Sequence, residues 1–573
     1  MKNPKNISIP NCSIPTENIR KTIKNFRNNT LWKHYFRNQT NNDDFNPKFK
    51  IIPKPDTSEF PKNLIPDINP KLIQDIDALE KRIEEESTNN NNKIRKRIDH
   101  IRILQNKHPD TILTLADKNL GFVALYKTTY RKMTLEHLNN PKTYQKTIFN
   151  VTEISKIVKR RLINLIKDLG SLLSTSESKF LTKQLDQPTN LPKFHSYPKM
   201  HKKGIIKARP IITSFNWFTR PVALILNERL LTLKLTLPYV IKSSKELADN
   251  IPKHLNNGET LVTIDIKAMY PSICRSQLKQ TFHNLPNFEP TILKLLEFIL
   301  NNCYCYFEEI TYLQLEGIPM GDNSSVILAN LYCNALIDHH IAHNTCITTY
   351  YRYIDDIFII WKSTKKSLEE NITYWNTLSS CELELTAFSD TTVDFLDLTL
   401  RKQYHTNIIH TSVFFKPTSK FNYISPTSCH PPHTLKGWIK AEINRHYLLT
   451  THPQVRDINL TLFKQRLLNR GYKLHFLTPI FIKSRENYLL TNKTNPNSDT
   501  TNLQEKPKQE ILHIILPYYP DYRSQKLCRI IKNNLRKISN EYFPTARPII
   551  AYSTLPSTAN RLLKYDRAPN SPP

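Results

Sequence analysis

Tyr353-Ile354-Asp355-Asp356 interrupts an otherwise largely apolar run, and no other feature of the chain narrows its fold as far. Tyr350 to Ile354 and Ile357 to Trp361 read as two mostly buried strands meeting at a tight turn. Two adjacent carboxylates at the tip of such a hairpin repel each other and resist desolvation. Divalent cations would remove that penalty. A further carboxylate, Asp265, follows a second β-type run, Leu261-Val262-Thr263-Ile264. Acidic strand positions able to converge on a metal pair are what two-metal displacement at phosphorus requires. By itself an Asp-Asp pair between strands is also an ordinary turn, because Asp tolerates turn geometry. The rest of the chain decides between the two readings.

Lysine and arginine outnumber acids 81 to 50 over 573 residues, a formal net charge of +31. An excess of that size points to a polyanionic partner, without separating DNA, RNA and membrane surfaces. No apolar stretch approaches the length of a membrane span, and Met1-Lys2-Asn3-Pro4 begins no signal-peptide core. The expectation is an intracellular protein, nuclear or cytoplasmic, with no membrane partner. The 9 cysteines are scattered and odd in number, which argues against a disulfide framework. Cys429, His430 and His433 lack a second ligand pair, so zinc is not expected there.

Composition divides the chain into successive stretches. Residues 1–66 are basic and read as loosely ordered. Residues 67–185 read as a helical N-terminal extension, with Leu72, Ile73, Ile76, Leu79 and Ile83 at helical spacing. Strand and turn signals mix with helices from 186 to 415, and residues 416–490 are mainly helical and basic. A polar linker, 491–509, precedes a small basic segment, 510–573.

Four patches in this order could build one site. Tyr197-Pro198-Lys199-Met200-His201-Lys202 and Lys207-Ala208-Arg209-Pro210 read as basic strands joined near Gly204, able to lay cations over a triphosphate. Arg209 suits this best, because its planar fork matches phosphate oxygens. Lys202 serves a template backbone equally well. Next come Asp265 and, five residues on, Tyr270, whose ring could close the space beside a sugar 2′ carbon; a core tyrosine is the alternative. The third patch, Gly317-Ile318-Pro319-Met320-Gly321-Asp322-Asn323, opens a helix with Ile327, Leu328, Leu331 and Ala335 on its apolar side. Glycine there lets a backbone approach a base or sugar, and Asp322 is assigned to capping rather than to metal. The fourth patch is the Asp-Asp hairpin.

The ordered set resembles a reverse transcriptase. The resemblance implies an α+β right-hand polymerase with fingers (186–260), palm (261–415) and thumb (416–490). It implies Asp265 and Asp355 as catalytic metal ligands, Asp356 as supporting carboxylate, and Mg²⁺ (or Mn²⁺) as cofactor. Lys199, Lys202, Arg209, Tyr270, Met320 and Gly321 would surround an incoming dNTP, with an RNA template and a DNA primer as partners. Among reverse transcriptases the chain looks most like Penelope-like retroelements, relatives of telomerase catalytic subunits. The residues carrying this are Ala116-Asp117-Lys118-Asn119-Leu120-Gly121, Leu191-Pro192-Lys193, Gly317 to Gly321, Arg352 to Asp356, Phe395-Leu396-Asp397-Leu398, Lys416-Pro417-Thr418, Ser428 to Pro431 and Lys436 to Arg445.

Nucleic-acid contacts are expected from Lys118, Lys436, Lys440 and Arg445. The two thumb lysines, four apart, share a helix face, whereas Arg445 lies round the other side and rests on the resemblance alone. Asn119 stands where the family's Asp-Lys-Gly signature has glycine. Many members also carry a GIY-YIG endonuclease, and nothing after Glu510 supplies its glycine–tyrosine strands, so DNA nicking is not expected. An RNA-dependent RNA polymerase shares the palm but must admit a 2′-OH, which sets it against Tyr270. A catalytically silent palm kept as an RNA-binding scaffold is the second alternative, and the intact carboxylates argue against it.

Overall fold

In the computed structural model the described residues are 68–88, 107–117, 121–200, 206–285 except 234, 289–493 except 418, 420 and 429, 511–517 and 522–553, with scattered positions between 24 and 34. At the centre is an antiparallel sheet of β1 (Thr260–Lys267), β2 (Ile347–Tyr353), β3 (Asp356–Trp361) and β4 (Glu382–Ser389), in the spatial order β4-β1-β3-β2. Its middle strands are buried on both faces, which is why their sequences read as continuous apolar runs rather than alternating ones. Val262, Ile264 and Ile266 of β1 join Ile357, Ile359 and Trp361 of β3 in the main core. Helices 151–169, 219–232 and 290–301 cover that face, together with α1 (Ser325–Cys333). On the other face, Leu261, Phe358 and Ile360 pack against Phe395, Leu398, Leu400 and Val413 of a three-stranded sheet spanning residues 392–413.

The side-chain period of two then places Asp265 and Asp356 on this second face, in line with Leu261 and Phe358, beyond the point where the apolar filling stops. On the sequence side, the strands expected around Lys199 and Arg209 form as Phe194–Pro198 and Ala208–Ile212, paired antiparallel with Tyr197 opposite Arg209. The region 67–185 is not purely helical. Thr111–Leu115 and Phe122–Tyr126 form a β-hairpin, as their Thr, Ile, Val and Phe content favours.

Residues 416–490, expected to be helical, contain α2 (Pro432–Leu449), α3 (Pro453–Asn469) and most of α4 (Leu474–Lys493). Proline at the start of α2 and α3 supplies a preset φ where no N–H bond is needed. Ile439, Ile443, Leu460, Phe463, Leu467 and Leu477 make the bundle's own core. No helix among the described residues is long and apolar enough to cross a membrane.

The two ends of the chain, expected as separate pieces, share one core. Strands Ile511–Pro517 and Arg547–Ser553 lie parallel and are joined by helix Tyr522–Tyr542. Ile531, Leu535 and Ile538 of that helix pack against Leu72, Ile76 and Leu79 of helix Pro70–Thr88, with Phe26 and Leu31 in the same cluster. Asp75 accepts from Tyr542 at 3.1 Å and pairs with Lys537 at 3.4 Å. Charge dominates a reading of residues 510–573; the apolar spacing inside the helix dictates the packing. Ile76→Ala is therefore expected to destabilise this unit by roughly 2–5 kcal/mol. Hydrogen exchange should quicken in Ile511–Pro517 while β1 keeps its protection.

Candidate active site

β2 ends at Tyr353 and β3 begins at Asp356, leaving Ile354 and Asp355 as a two-residue turn. Ile354 has φ +57°, an unusual conformation for a β-branched residue that persists only when its surroundings enforce it. Asp265 lies directly opposite Asp356 across β1 and β3. The Ile266 N–H donates to the Asp355 carbonyl at 2.9 Å, carrying the ladder one step past the strand. Asp265, Asp355 and Asp356, all half-buried, thus come together at one end of neighbouring strands. Like charges placed opposite each other destabilise a strand pair, and carboxylate oxygens are the donors that hard divalent cations take. The chemistry of these carboxylates suits a hard divalent cation. Among the described residues no group of three or more His, Cys, Asp or Glu side chains is placed to hold a metal ion.

Tyr270 sits on the short helix Met269–Ser272 that follows β1. Its phenol is half-buried, and burial, followed by the charge of Asp355, raises its pKa, while Arg209 opposes the shift. The ring therefore lies within electrostatic reach of both a candidate metal ligand and the candidate phosphate ligand. Gly317 and Gly321 fix this neighbourhood. Gly317 has φ +73°, and a Cβ there would lie 2.7 Å from the Pro271 Cα and 2.8 Å from the Tyr270 carbonyl oxygen. The adjacent Ile318 N–H donates to that carbonyl at 2.9 Å. Gly321 has φ +120°, and its Cβ would meet the Ile212 oxygen at 2.9 Å; the Ile212 N–H donates to the Met320 carbonyl at 3.0 Å. Sequence reasoning gives these glycines to a base or sugar. The structure uses both for backbone-to-backbone contact, stapling the Tyr270 turn and the Arg209 strand to one loop.

Asp322 is buried, with Oδ1 accepting from the Ser324 N–H and hydroxyl at 3.2 Å each and Oδ2 from the Ser214 hydroxyl at 2.9 Å. Burial pushes its carboxyl pKa up. It braces the turn that leads into α1 rather than capping the helix, whose N-cap is Ser324 with no side-chain capping bond. The apolar side expected for that helix ends early. A π-helical turn, Asn334–Asp338, widens the spiral, leaving Ala335 exposed and turning Ile337 and Asp338 inward.

Arg209 places Nε 3.3 Å from Oδ1 of Asp117, whose other oxygen is buried without a hydrogen-bond partner among the described residues. The arginine remains partly exposed, with 40% of its side chain accessible. Lys199 continues the hairpin, its N–H donating to the Lys207 carbonyl at 2.8 Å. Lys118 and Lys202 lie outside the described residues.

Sequence reasoning assigned no role to Arg352 and did not name Asp338. Both side chains are fully buried. Arg352 Nε and Nη2 each donate to Asp338 at 2.7 Å, and Nη1 donates to Asn330 Oδ1 and to the Ile354 carbonyl at 2.9 Å each. Burial opposes the charge on the guanidinium, but Asp338 outweighs it and holds Arg352 protonated. The signal in the sequence was one arginine inside an apolar strand, since such a charge is buried only when paired.

In the bundle, Lys436 is exposed with its ammonium 5.9 Å from the Phe476 ring centre, and Lys440 is partly buried. Arg445 is held by carboxylates, Glu442 at 3.0 Å and Asp397 at 3.5 Å, and so ties α2 to the palm-side sheet. That bracing role differs from the phosphate contact the resemblance implies.

Residues 200–387 match the family described as reverse transcriptase (RNA-dependent DNA polymerase), and residues 422–481 match the animal helix-turn-helix domain. The first match encloses Arg209, Asp265, Tyr270, the Gly317–Gly321 loop and the Asp-Asp turn; the second spans α2, α3 and the start of α4. No curated protein matches the chain. Among solved structures, telomerase from Candida albicans in complex with a TWJ fragment of telomeric RNA is similar at TM-score 0.46 and 11% identity, over 77% of this chain and 73% of that one. Apo telomerase from Candida tropicalis is similar at TM-score 0.40 and 10% identity, over 77% and 71%. The chain carries an RNA-directed DNA polymerase domain, a nucleotidyltransferase, on an α+β right-hand fold.

The loop staple can be tested by comparing two glycines. Gly258 has φ +82° and open space around it, whereas Gly317 has positive φ and backbone within 2.7 Å. Alanine at either costs about 1–2 kcal/mol in backbone strain. At Gly317 overpacking adds about 1–3 kcal/mol. Gly317→Ala should lower Tm further than Gly258→Ala; equal shifts would show that the Tyr270–Pro271 backbone yields freely.

Proposed function

We propose that this chain is the reverse transcriptase of a Penelope-like retroelement, extending a DNA primer 3′-OH with dNTPs along an RNA template. The observation that carries the reading is the register of Asp265 opposite Asp356, with Asp355 pinned beside them, inside the segment that matches the reverse transcriptase family. The Penelope-like assignment rests on the sequence motifs from Ala116 to Arg445. Asp265 and Asp355 would hold two divalent ions, Mg²⁺ or Mn²⁺, with Asp356 in support. Bound there, such ions favour the attacking alkoxide and neutralise the pyrophosphate leaving group.

The remaining roles belong to the chain's own side chains. Arg209 binds triphosphate oxygens with Lys199 on the same hairpin, and Lys202, assigned from the sequence alone, shares that task. Tyr270, held by the Gly317 loop, walls off the space beside the 2′ carbon. Met320 and Gly321 bound the nucleotide from the loop side. Lys436 and Lys440 track the phosphates of the template–primer duplex, and Lys118 meets nucleic acid from the N-terminal side.

Asp355→Asn should abolish magnesium-dependent primer extension on a polyribonucleotide template while circular dichroism and Tm stay near wild type. Extension at the wild-type rate would remove Asp355 from the mechanism.

Tyr270→Ala should raise ribonucleotide incorporation relative to deoxynucleotide, read as the ratio of kcat/KM values. A wild-type enzyme that already prefers ribonucleotides would instead make this an RNA-dependent RNA polymerase.

A further inference from the structure

The catalytic reading leaves one buried charged group without a task. Arg352 lies on β2 directly before the Tyr353–Asp356 turn, fully buried, and every N–H of its fork reaches an acceptor. Nε and Nη2 grip the two oxygens of Asp338; Nη2 also reaches the Asn330 carbonyl at 3.3 Å; Nη1 divides between the Asn330 side chain and the Ile354 carbonyl. Tyr350 adds a hydroxyl to Asp338 at 2.6 Å. A buried ion pair often gives no net stability over an apolar pair of similar volume, because desolvation offsets the attraction. Stability alone therefore does not account for placing one here.

The Ile354 carbonyl belongs to the peptide plane whose nitrogen is that of Asp355. Since the peptide is planar, fixing that oxygen fixes the direction from which the chain enters Asp355. The next plane is fixed as well, because the Asp355 carbonyl accepts from the Ile266 N–H at 2.9 Å. The Cα of Asp355 is thus suspended between two clamped planes, one held by Arg352 and the other by β1. Ile354 at φ +57° is a conformation that a β-branched residue keeps only where its surroundings enforce it. Arg352 also reaches Asn330 on α1, the helix that follows the Gly317–Gly321 loop. One guanidinium therefore joins the carboxylate turn to the element carrying the nucleotide-side loop.

Resting on the polymerase reading above, we infer that Arg352, charge-balanced by Asp338, is a positioning residue that aims the Asp355 carboxylate by holding the Ile354 carbonyl. It touches neither substrate nor metal. The π-helical turn Asn334–Asp338 serves the same purpose, since it delivers Asp338 to the guanidinium.

Removing one partner would strand a buried charge and risk the fold, so two gentler variants carry the test. Arg352→Lys keeps a cation for Asp338 but lacks the fork needed to reach Asn330 and Ile354 as well. The double variant Arg352→Met with Asp338→Leu replaces the pair by apolar volume. Each is assayed beside wild type by thermal unfolding, template–primer binding, and single-turnover extension with Mg²⁺ titration. For each variant that folds, duplex affinity and the dNTP KM should stay near wild type. The extension rate should fall about 100-fold, the scale of a misplacement near 1 Å, and the half-saturating Mg²⁺ concentration should rise. A folded variant of either kind with wild-type rate and unchanged Mg²⁺ midpoint would overturn the inference. A wild-type protein that extends no primer would instead overturn the polymerase reading, which separates the two failures.

Discussion

Strand register is the constraint from which the site follows. β1 and β3 are buried on both faces, so each has two apolar sets that must meet two different cores. A slip of one residue between them would turn over the sets of one strand, sending either Leu261 into the core filled by Ile264 or Phe358 into the core filled by Ile357. The register that satisfies both cores also sets Asp265 against Asp356. Two carboxylates are thereby forced together by the packing of residues far from them, and their repulsion is carried by the apolar burial of two strands. An edge strand with one wet face could slide to relieve such a contact. These central strands cannot.

Carboxylates in well-buried positions meet cations or hydroxyls. Asp338 is held by Arg352, Asp322 by Ser214 and Ser324, and Glu177 by Arg229 at 2.8 Å through both oxygens. Burial without such partners would neutralise them. Asp265 and Asp356, opposite each other across β1 and β3, are only half-buried at the strand ends. Asp322 is thus consumed by its loop, whereas Asp355 lies in the half-buried turn between β2 and β3.

Much of this arrangement was legible because it is local. The apolar runs flanking Asp355 set the hairpin, Leu261 to Ile264 set the strand below it, and Gly317 and Gly321 marked a loop of special backbone geometry. What escaped depends on contacts distant in sequence or on a change of helical period. Asp338 becomes the partner of Arg352 only because a π turn shifts the phase of the helix after α1, and a 3.6-residue period had placed Ala335 inside instead. Asp117 and Arg209 meet through two separate hairpins. Arg445 was given to nucleic acid by the resemblance alone, yet Asp397 reaches it from a loop of the neighbouring sheet. The joining of Leu72 and Ile76 to Ile531 and Leu535 links the two ends of the chain, which no local pattern could announce.

The glycine loop shows how the nucleotide side and the carboxylate side come to be built as one object. Gly317 docks against the Tyr270 turn at the end of β1, and Gly321 docks against the strand bearing Arg209. The same loop opens α1, whose Asn330 receives the guanidinium that holds the Asp355 turn. Arg209, Tyr270 and Asp355 belong to three elements far apart in sequence, yet each is one backbone contact or one side chain away from this loop and helix. On the proposed reading, the reaction would tolerate little error in the distance between carboxylates and phosphates. A loop that fixes Tyr270 and Arg209 by backbone contact, where a single Cβ would already collide, and that leads into the helix joined to the Asp355 turn through Asn330 and Arg352, leaves little room for the three to drift independently.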